Sequence, residues 1–273
     1  MNRTPHPSPA SRPPPGPATD ERCSGYQLAD PHRPGRIVSA TTPDDVRVAV
    51  TDTAARGVPY AVQASGHGRR RSLEGGVLIS TAALDRVRVD PAARTATVQA
   101  GATWRQVIDA AAPYGLAPPS GSAPGVGVAG YLLGGGLGLL AREFGYASDH
   151  VRWLEVVTLG GRALRATADS EPEWFWALRG GGHGLGAVVT ELEIGLMPVE
   201  RVWGGRLVFD ADRLPGLLDT YPAWAETAPE GLTSSLALMV LPDVPFVPEE
   251  LRGRHVGQVR IVWTGTPEEG ERL

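Results

Sequence analysis

GSAPGVGVAGYLLGGGLGLLAREFGYASDH, residues 121–150, is the stretch on which the fold turns. Its part from Gly125 to Gly138 holds seven glycines in fourteen residues: Gly125, Gly127, Gly130, Gly134, Gly135, Gly136 and Gly138. Read literally, GVGVAG (125–130) fits the G-x-G-x-x-G dinucleotide fingerprint, with Asp149 about 20 residues on. That fingerprint needs an apolar strand directly before its first glycine, and the loop sequence APPSGSAP stands there instead. The dinucleotide reading fails, but the physical content of the stretch survives. Glycines leave no side chain in the way, so successive backbone N–H groups are free to face a diphosphate or a planar ring. Close packing of a buried helix or hairpin is the competing reading, and this density of glycine favours a ligand.

Two further clusters flank it. VQASGHGRRRSLEGG, residues 62–76, sets His67 between Gly66 and Gly68 after the short strand YAVQ. RGGGHGLG, residues 179–186, runs into the alternating segment AVVTELEI. Three glycine-rich loops, at 65–68, 121–138 and 180–186, thus lie beside apolar strands, an α+β pattern in which the loops converge on one extended ligand. His67 is then a metal ligand, a plain turn residue or a cofactor contact. His150 and His183 stand alone, without H-x-H or H-x-x-x-H spacing, so no metal site is expected. Asp149 reads equally as a turn cap or a cofactor contact, and His183 as a loop residue near the cofactor without chemistry.

What is missing narrows the chemistry. Cys23 is the only cysteine in 273 residues, which excludes disulfides within the chain and cysteine-based metal sites. There is no lysine, so neither a P-loop nor a lysine Schiff base is possible. A net charge of −4 gives no broad basic footprint and speaks against a nucleic-acid partner. Arg69, Arg70 and Arg71 form a local cluster, either a solvated loop or charge for a phosphate.

Periodicity supplies the frame. Ile37 and Val38 begin a strand; Pro43, Asp44 and Asp45 suit a helix first turn, with Val46, Val50 and Ala54 on one face and Gly57 as the stop. VRVD and TATVQA pair as a hairpin across DPAAR, TWRQVIDAAAPYGL is a short amphipathic helix, and HVRWLEVVTLGGRALRAT is a second hairpin. SEPEWFWALRG opens a helix with Ser170 as N-cap, and Trp174 and Trp176 pack into the core at helix spacing. The proline-rich start, residues 1–24, reads as a disordered tail. It lacks a signal-peptide apolar run, and no later window is long and apolar enough for a membrane span. A cytoplasmic protein is the default expectation.

Together, SGH after a strand, the 121–150 stretch and FWALRGGGHGLGAVVTELEI (175–194) resemble the PCMH-type FAD-binding domain of the vanillyl-alcohol-oxidase superfamily, nearest its berberine-bridge-enzyme-like oxidases. The likeness covers roughly residues 25–200, with three motifs in the family's order and spacing. It implies an FAD-binding domain over 25–199, built of two α+β subdomains at about 25–95 and 96–199. A substrate domain of antiparallel sheet plus helix would begin at 200 and run to 273. Ser65, Gly66, His67 and Gly68 would wrap the FAD diphosphate, and His67 matches the histidine that many members bond to the flavin. Gly121, Ser122, Gly127, Val128 and Gly130 would offer backbone N–H groups along the cofactor. Gly134, Gly135, Gly136 and Gly138 would continue that wall, with Asp149 close by; Gly182, Gly186 and Val188 would complete it.

The chain also departs from the family. Ala123 stands where doubly linked members have a cysteine, so at most one covalent bond, through His67, is implied. Gln63 replaces the arginine usual four residues before His67, and Gly184-Leu185 replaces Asn-Phe. The resemblance further implies that the chain stops inside its substrate domain, short of the family's catalytic groups, so no catalytic base is placed. The activity implied is FAD-dependent oxidation of a small molecule, an alcohol, sugar or secondary-metabolite C–H, with dioxygen as acceptor. A truncated FAD-binding remnant without turnover is the alternative.

Overall fold

The computed structural model describes residues 20–273 except Gln27, Ala29 and Pro215; the proline-rich residues 1–19 lie outside the described residues. Asp20–Ser24, expected in the tail, instead forms a capped turn. Asp20 caps α1 (Glu21–Ser24), and Cys23 is buried with Leu73 and Leu78.

A first, three-stranded sheet follows. Its strands are β1 (Arg36–Ser39), β2 (Tyr60–Gln63) and β3 (Val77–Ser80), in the order β1-β3-β2, all parallel. The connection from β1 to β2 is α2 (Pro43–Arg56), entered through a Thr42/Asp45 capping box and closed by left-handed Gly57. Every residue of β3 is buried, because both of its faces are covered. Val77 and Ile79 join the Val46 and Val50 face of α2, while Leu78 joins Cys23 and Leu73. A continuous apolar run such as VLIS is what a parallel strand with two covered faces requires. On α2 the buried polar member is Thr53, not the expected Ala54, which is exposed. The face follows an i, i+4, i+7 course, and Thr53 Oγ1 satisfies itself on the Val50 carbonyl at 2.7 Å.

The second sheet has five strands in the order β4-β5-β8-β6-β7, all antiparallel. They are β4 (Val87–Asp90), β5 (Thr95–Gln99), β6 (Val151–Val157), β7 (Ala163–Ala166) and β8 (Val188–Gly195). The subdomain boundary expected at 95/96 would cut the β4–β5 hairpin. The hairpin is joined to β8, so the division falls between β3 and β4. Helices α3 (Trp104–Ala111), α4 (Val128–Leu133), α5 (Ala141–Phe144) and α6 (Pro172–Leu178) belong to this unit. Trp104, Val107, Leu132 and Phe175 fill its core with Leu154, Leu192 and Ile194. Helix α6 is capped by Glu171 at φ 56° with no side-chain bond, rather than by Ser170. Trp174 packs against the core as expected, whereas Trp176 is 77% exposed. Two positions apart on a helix, they cannot share a face.

A third sheet, antiparallel in the order β10-β11-β9, comprises β9 (Trp203–Asp210), β10 (Leu232–Val240) and β11 (His255–Trp263). Helix α7 (Leu217–Thr227) lies between β9 and β10, and α8 (Pro267–Gly270) follows β11. Helix α5 fastens this unit to the second sheet. Arg142 donates to the Ala228 carbonyl at 2.7 Å, and Glu143 accepts from the Thr264 hydroxyl at 2.6 Å. None of the helices among the described residues is long and apolar enough to cross a membrane.

Leu192 sits fully buried on central β8, opposite Val98 and Leu154. Leu192→Ala is expected to lower unfolding free energy by about 2–5 kcal/mol, whereas Val208→Ala on exposed β9 changes it by about 0.5 kcal/mol or less. Urea titration of the two variants measures the contrast.

Candidate functional site

Glycine-rich loops have much conformational freedom to lose on folding, so their fixed course needs explicit bonds. Three hydrogen bonds supply them. The Gly127 N–H donates to Ser65 Oγ at 3.1 Å and ties the first loop to the second. His183 Nε2 lies 3.1 Å from the Gly130 carbonyl and ties the second loop to the third. A carbonyl only accepts, so Nε2 carries the proton. The Tyr60 hydroxyl donates to the Gly186 carbonyl at 3.1 Å and ties the third loop back to β2. Burial raises the Tyr60 phenol above its ordinary value, which keeps this donor protonated.

The three loops enclose a cavity of about 900 Å³, near the upper end of the roughly 300–1,000 Å³ typical of ligand pockets. Ser65, Gly66, His67, Gly68, Gly127, Gly130, Gly182, Gly186 and Val188 line it, with Arg69, Arg70 and Arg71 on the same wall. No aspartate or glutamate is among its lining residues. The wall is therefore cationic and suited to an anion. At Gly68, Gly130 and Gly184 a Cβ would meet nothing within 4 Å, so bare backbone faces open space there. A cradle of exposed peptide edges beside arginines matches an extended cofactor with a diphosphate, and the residues present fit FAD.

The other expected contacts lie elsewhere. Val128 is fully buried in the core of the second sheet, and its N–H donates to the Ala102 carbonyl. The N–H groups of Gly134 and Gly135 donate to the Tyr131 and Leu132 carbonyls, and Gly182, although it lines the cavity, donates its N–H to the Leu133 carbonyl, so none of the three is free for a ligand. Gly136, at φ 72°, lies against the Tyr131 ring and Ala147, and Gly138 against the carbonyls of Pro119 and Ser120. These glycines serve close packing, the competing reading of the stretch. Gly121 abuts the Tyr131 hydroxyl and Ser122 is exposed; neither lines the cavity. Asp149 is the turn cap of the two alternatives, accepting from the Tyr146 N–H at 3.0 Å away from the cavity wall.

Several site residues carry no sequence signal. Tyr60 stands among ordinary strand residues. Tyr131 lines the cavity, and burial pushes its phenol up to about 12. Gln63, the departure from the family pattern, is buried and donates from Nε2 to the Arg22 carbonyl at 2.6 Å, holding the N-terminal segment on the loop. His32, also on the cavity wall, accepts the Leu73 N–H at Nδ1 over 2.8 Å. Among the described residues, no group of three His, Cys, Asp or Glu side chains is placed to hold a metal.

Burial first, then the Arg69 charge, holds the His32 imidazole below its ordinary 6.5. The unfolded chain takes up this proton more readily, so stability is full above about 6.5 and falls as pH drops below it. The slope for one proton reaches about 1.4 kcal/mol per pH unit at most. Urea unfolding between pH 7.5 and 5 is expected to show a steeper loss for the wild type than for His32→Asn.

Comparison with known proteins agrees with this geometry. The FAD binding domain family matches residues 34–167. An FAD-dependent monooxygenase, FUP4 of Fusarium proliferatum, is 36% identical over 176 residues, covering 63% of this chain and 34% of that protein. The (R)-6-hydroxynicotine oxidase of Paenarthrobacter nicotinovorans is 31% identical over 206 residues, covering 75% of this chain and 42% of the enzyme. A solved berberine bridge enzyme variant superposes with a TM-score of 0.74 at 25% identity, over 86% of this chain and 47% of its own. The chain thus spans less than half the length of these relatives. Over residues 34–167, just under half of its length, the chain matches the FAD binding domain family, and the proteins it is similar to include FAD-dependent and FAD-linked enzymes.

Proposed function

We propose that this chain is the FAD-holding part of an oxidoreductase that oxidises a small molecule and passes the electrons to dioxygen. The observation that carries the reading is the cavity itself, three loops tied together around a wall with bare peptide edges, three arginines and no carboxylate. Bound FAD would supply the redox chemistry, taking hydride from an alcohol, sugar or secondary-metabolite C–H. The protein's share is orientation and electrostatics.

That share falls to named residues. Arg70 and Arg71, exposed at the wall, face the diphosphate with charge that the neutral Gln63 does not provide. Gly68, Gly130 and Gly184 admit the cofactor where a side chain would stand. His67 lies on the cavity wall between Gly66 and Gly68 and is the residue to which flavin would be bonded. Ala123 leaves no thiol for a second link. A 6-hydroxynicotine oxidase and a monooxygenase among the relatives support the reaction class.

Acid precipitation of the purified chain, incubated with FAD and then desalted, is the test. Flavin is expected in the pellet for the wild type and in the supernatant for His67→Ala. Flavin in neither fraction of the wild type would overturn the reading, and flavin in the His67→Ala pellet would remove His67 from its role.

A further inference from the structure

Residues 20–33 precede the residues matched to the FAD binding domain, yet Arg22, Cys23, Gly25 and Tyr26 among them pack directly on the His67 loop. The Gln63 amide donates to the Arg22 carbonyl at 2.6 Å, and the Arg69 guanidinium donates to the Cys23 carbonyl at 2.8 Å. The Tyr26 N–H donates to the Ser65 carbonyl at 3.3 Å. Gly25, at φ 54°, and Gly66, at φ 71°, lie back to back; a Cβ on Gly25 would stand 2.8 Å from the Gly66 Cα. Only glycine at both positions permits this approach together with these φ values.

The outcome is a stacked pair. The Tyr26 ring lies on the His67 imidazole with centroids 4.1 Å apart and planes 10° from parallel. His67 lines the cavity and Tyr26 does not, so the phenol covers the imidazole from outside. Tyr26 is 67% exposed, so burial of its own surface is a weak reason for the arrangement. Gly66 and Gly68 put no side chains beside His67, so the stacked phenol is the ring contact that favours one orientation of the imidazole, and favouring it in advance lowers the entropy lost when a ligand meets it.

We propose that Tyr26 is a positioning residue for His67, fixing the imidazole in the orientation in which it meets bound FAD. The inference rests on the FAD reading above, and it assigns the segment ahead of the FAD binding domain to the cofactor site. The Tyr26 ring is 67% exposed, so Tyr26→Ala is expected to keep the fold while removing the stack on the histidine.

Two measurements test it together. In the chain without cofactor, the His67 ring protons, assigned by their loss in His67→Ala, are expected to carry an upfield ring-current shift. Tyr26→Ala abolishes that shift and Tyr26→Phe preserves it. In equilibrium dialysis, FAD affinity is expected to fall about three- to tenfold in Tyr26→Ala, the range for one aromatic pair, and to be restored in Tyr26→Phe. His67 signals that do not respond to Tyr26→Ala would overturn the stack. Responsive signals with unchanged FAD affinity, or a Tyr26→Phe chain as weak as Tyr26→Ala, would overturn the positioning role. A wild-type chain that takes up no FAD while its His67 signals respond would overturn the FAD reading and leave the stack without that role.

Discussion

The Gly127 N–H to Ser65 Oγ bond is the contact on which the site depends. Both residues sit in loops whose sequence favours no single conformation, and each loop belongs to a different sheet. Without a cross-tie, the loops would lose far more backbone entropy on closing around a ligand. With it, and with His183 on Gly130 and Tyr60 on Gly186, the cavity is shaped before anything enters. Ser65 is itself fixed from behind, because its carbonyl accepts the Tyr26 N–H. The two sheets are also joined below the loops, where Val157 and Val188 of the second sheet share a core with α2 and β3. A rigid base and tied loops together make a pre-organised wall.

Much of the frame was legible because local rules and tertiary context agree there. Thr42, Pro43 and Gly57 punctuate α2 through capping chemistry that needs no partner elsewhere, and the β4–β5 hairpin follows from its turn. The placement of that hairpin was not legible. Its partner β8 lies some ninety residues on in the sequence, and nothing in VRVD or TATVQ names it. Thr53 in place of Ala54, and Trp176 in solvent, show the same limit at the scale of one helix: composition suggests a core residue, but the angle about the axis decides.

The glycine stretch that decided the fold proved to mix two uses. Gly127 and Gly130 face the cavity, whereas Gly134, Gly135, Gly136 and Gly138 let α4, its neighbouring loops and Tyr131 approach closely. Sequence cannot separate these uses, since both require the same missing side chain. The described residues of 20–33 were harder still, because they carry no motif and act through main-chain groups and the Tyr26 ring. His32 and Gln63 are polar residues in the interior whose partners, Leu73 and Arg22, are backbone groups brought by the fold. The resemblance to a family pointed to these loops as the place for a cofactor; the hydrogen bonds explain why the loops stay in place.

The central claim is that the tied loops enclose the space that FAD fills. Gly130 gives the most direct access to it, because its Cβ position is open and its φ is ordinary for a helix. In Gly130→Leu, a bulky side chain would begin in open space at a residue of the cavity wall, clear of packed neighbours. Equilibrium dialysis against FAD, with thermal unfolding measured in parallel, decides the matter. The expected result is a chain that unfolds like the wild type but no longer retains FAD. FAD retention equal to the wild type would contradict the claim and place the cofactor elsewhere.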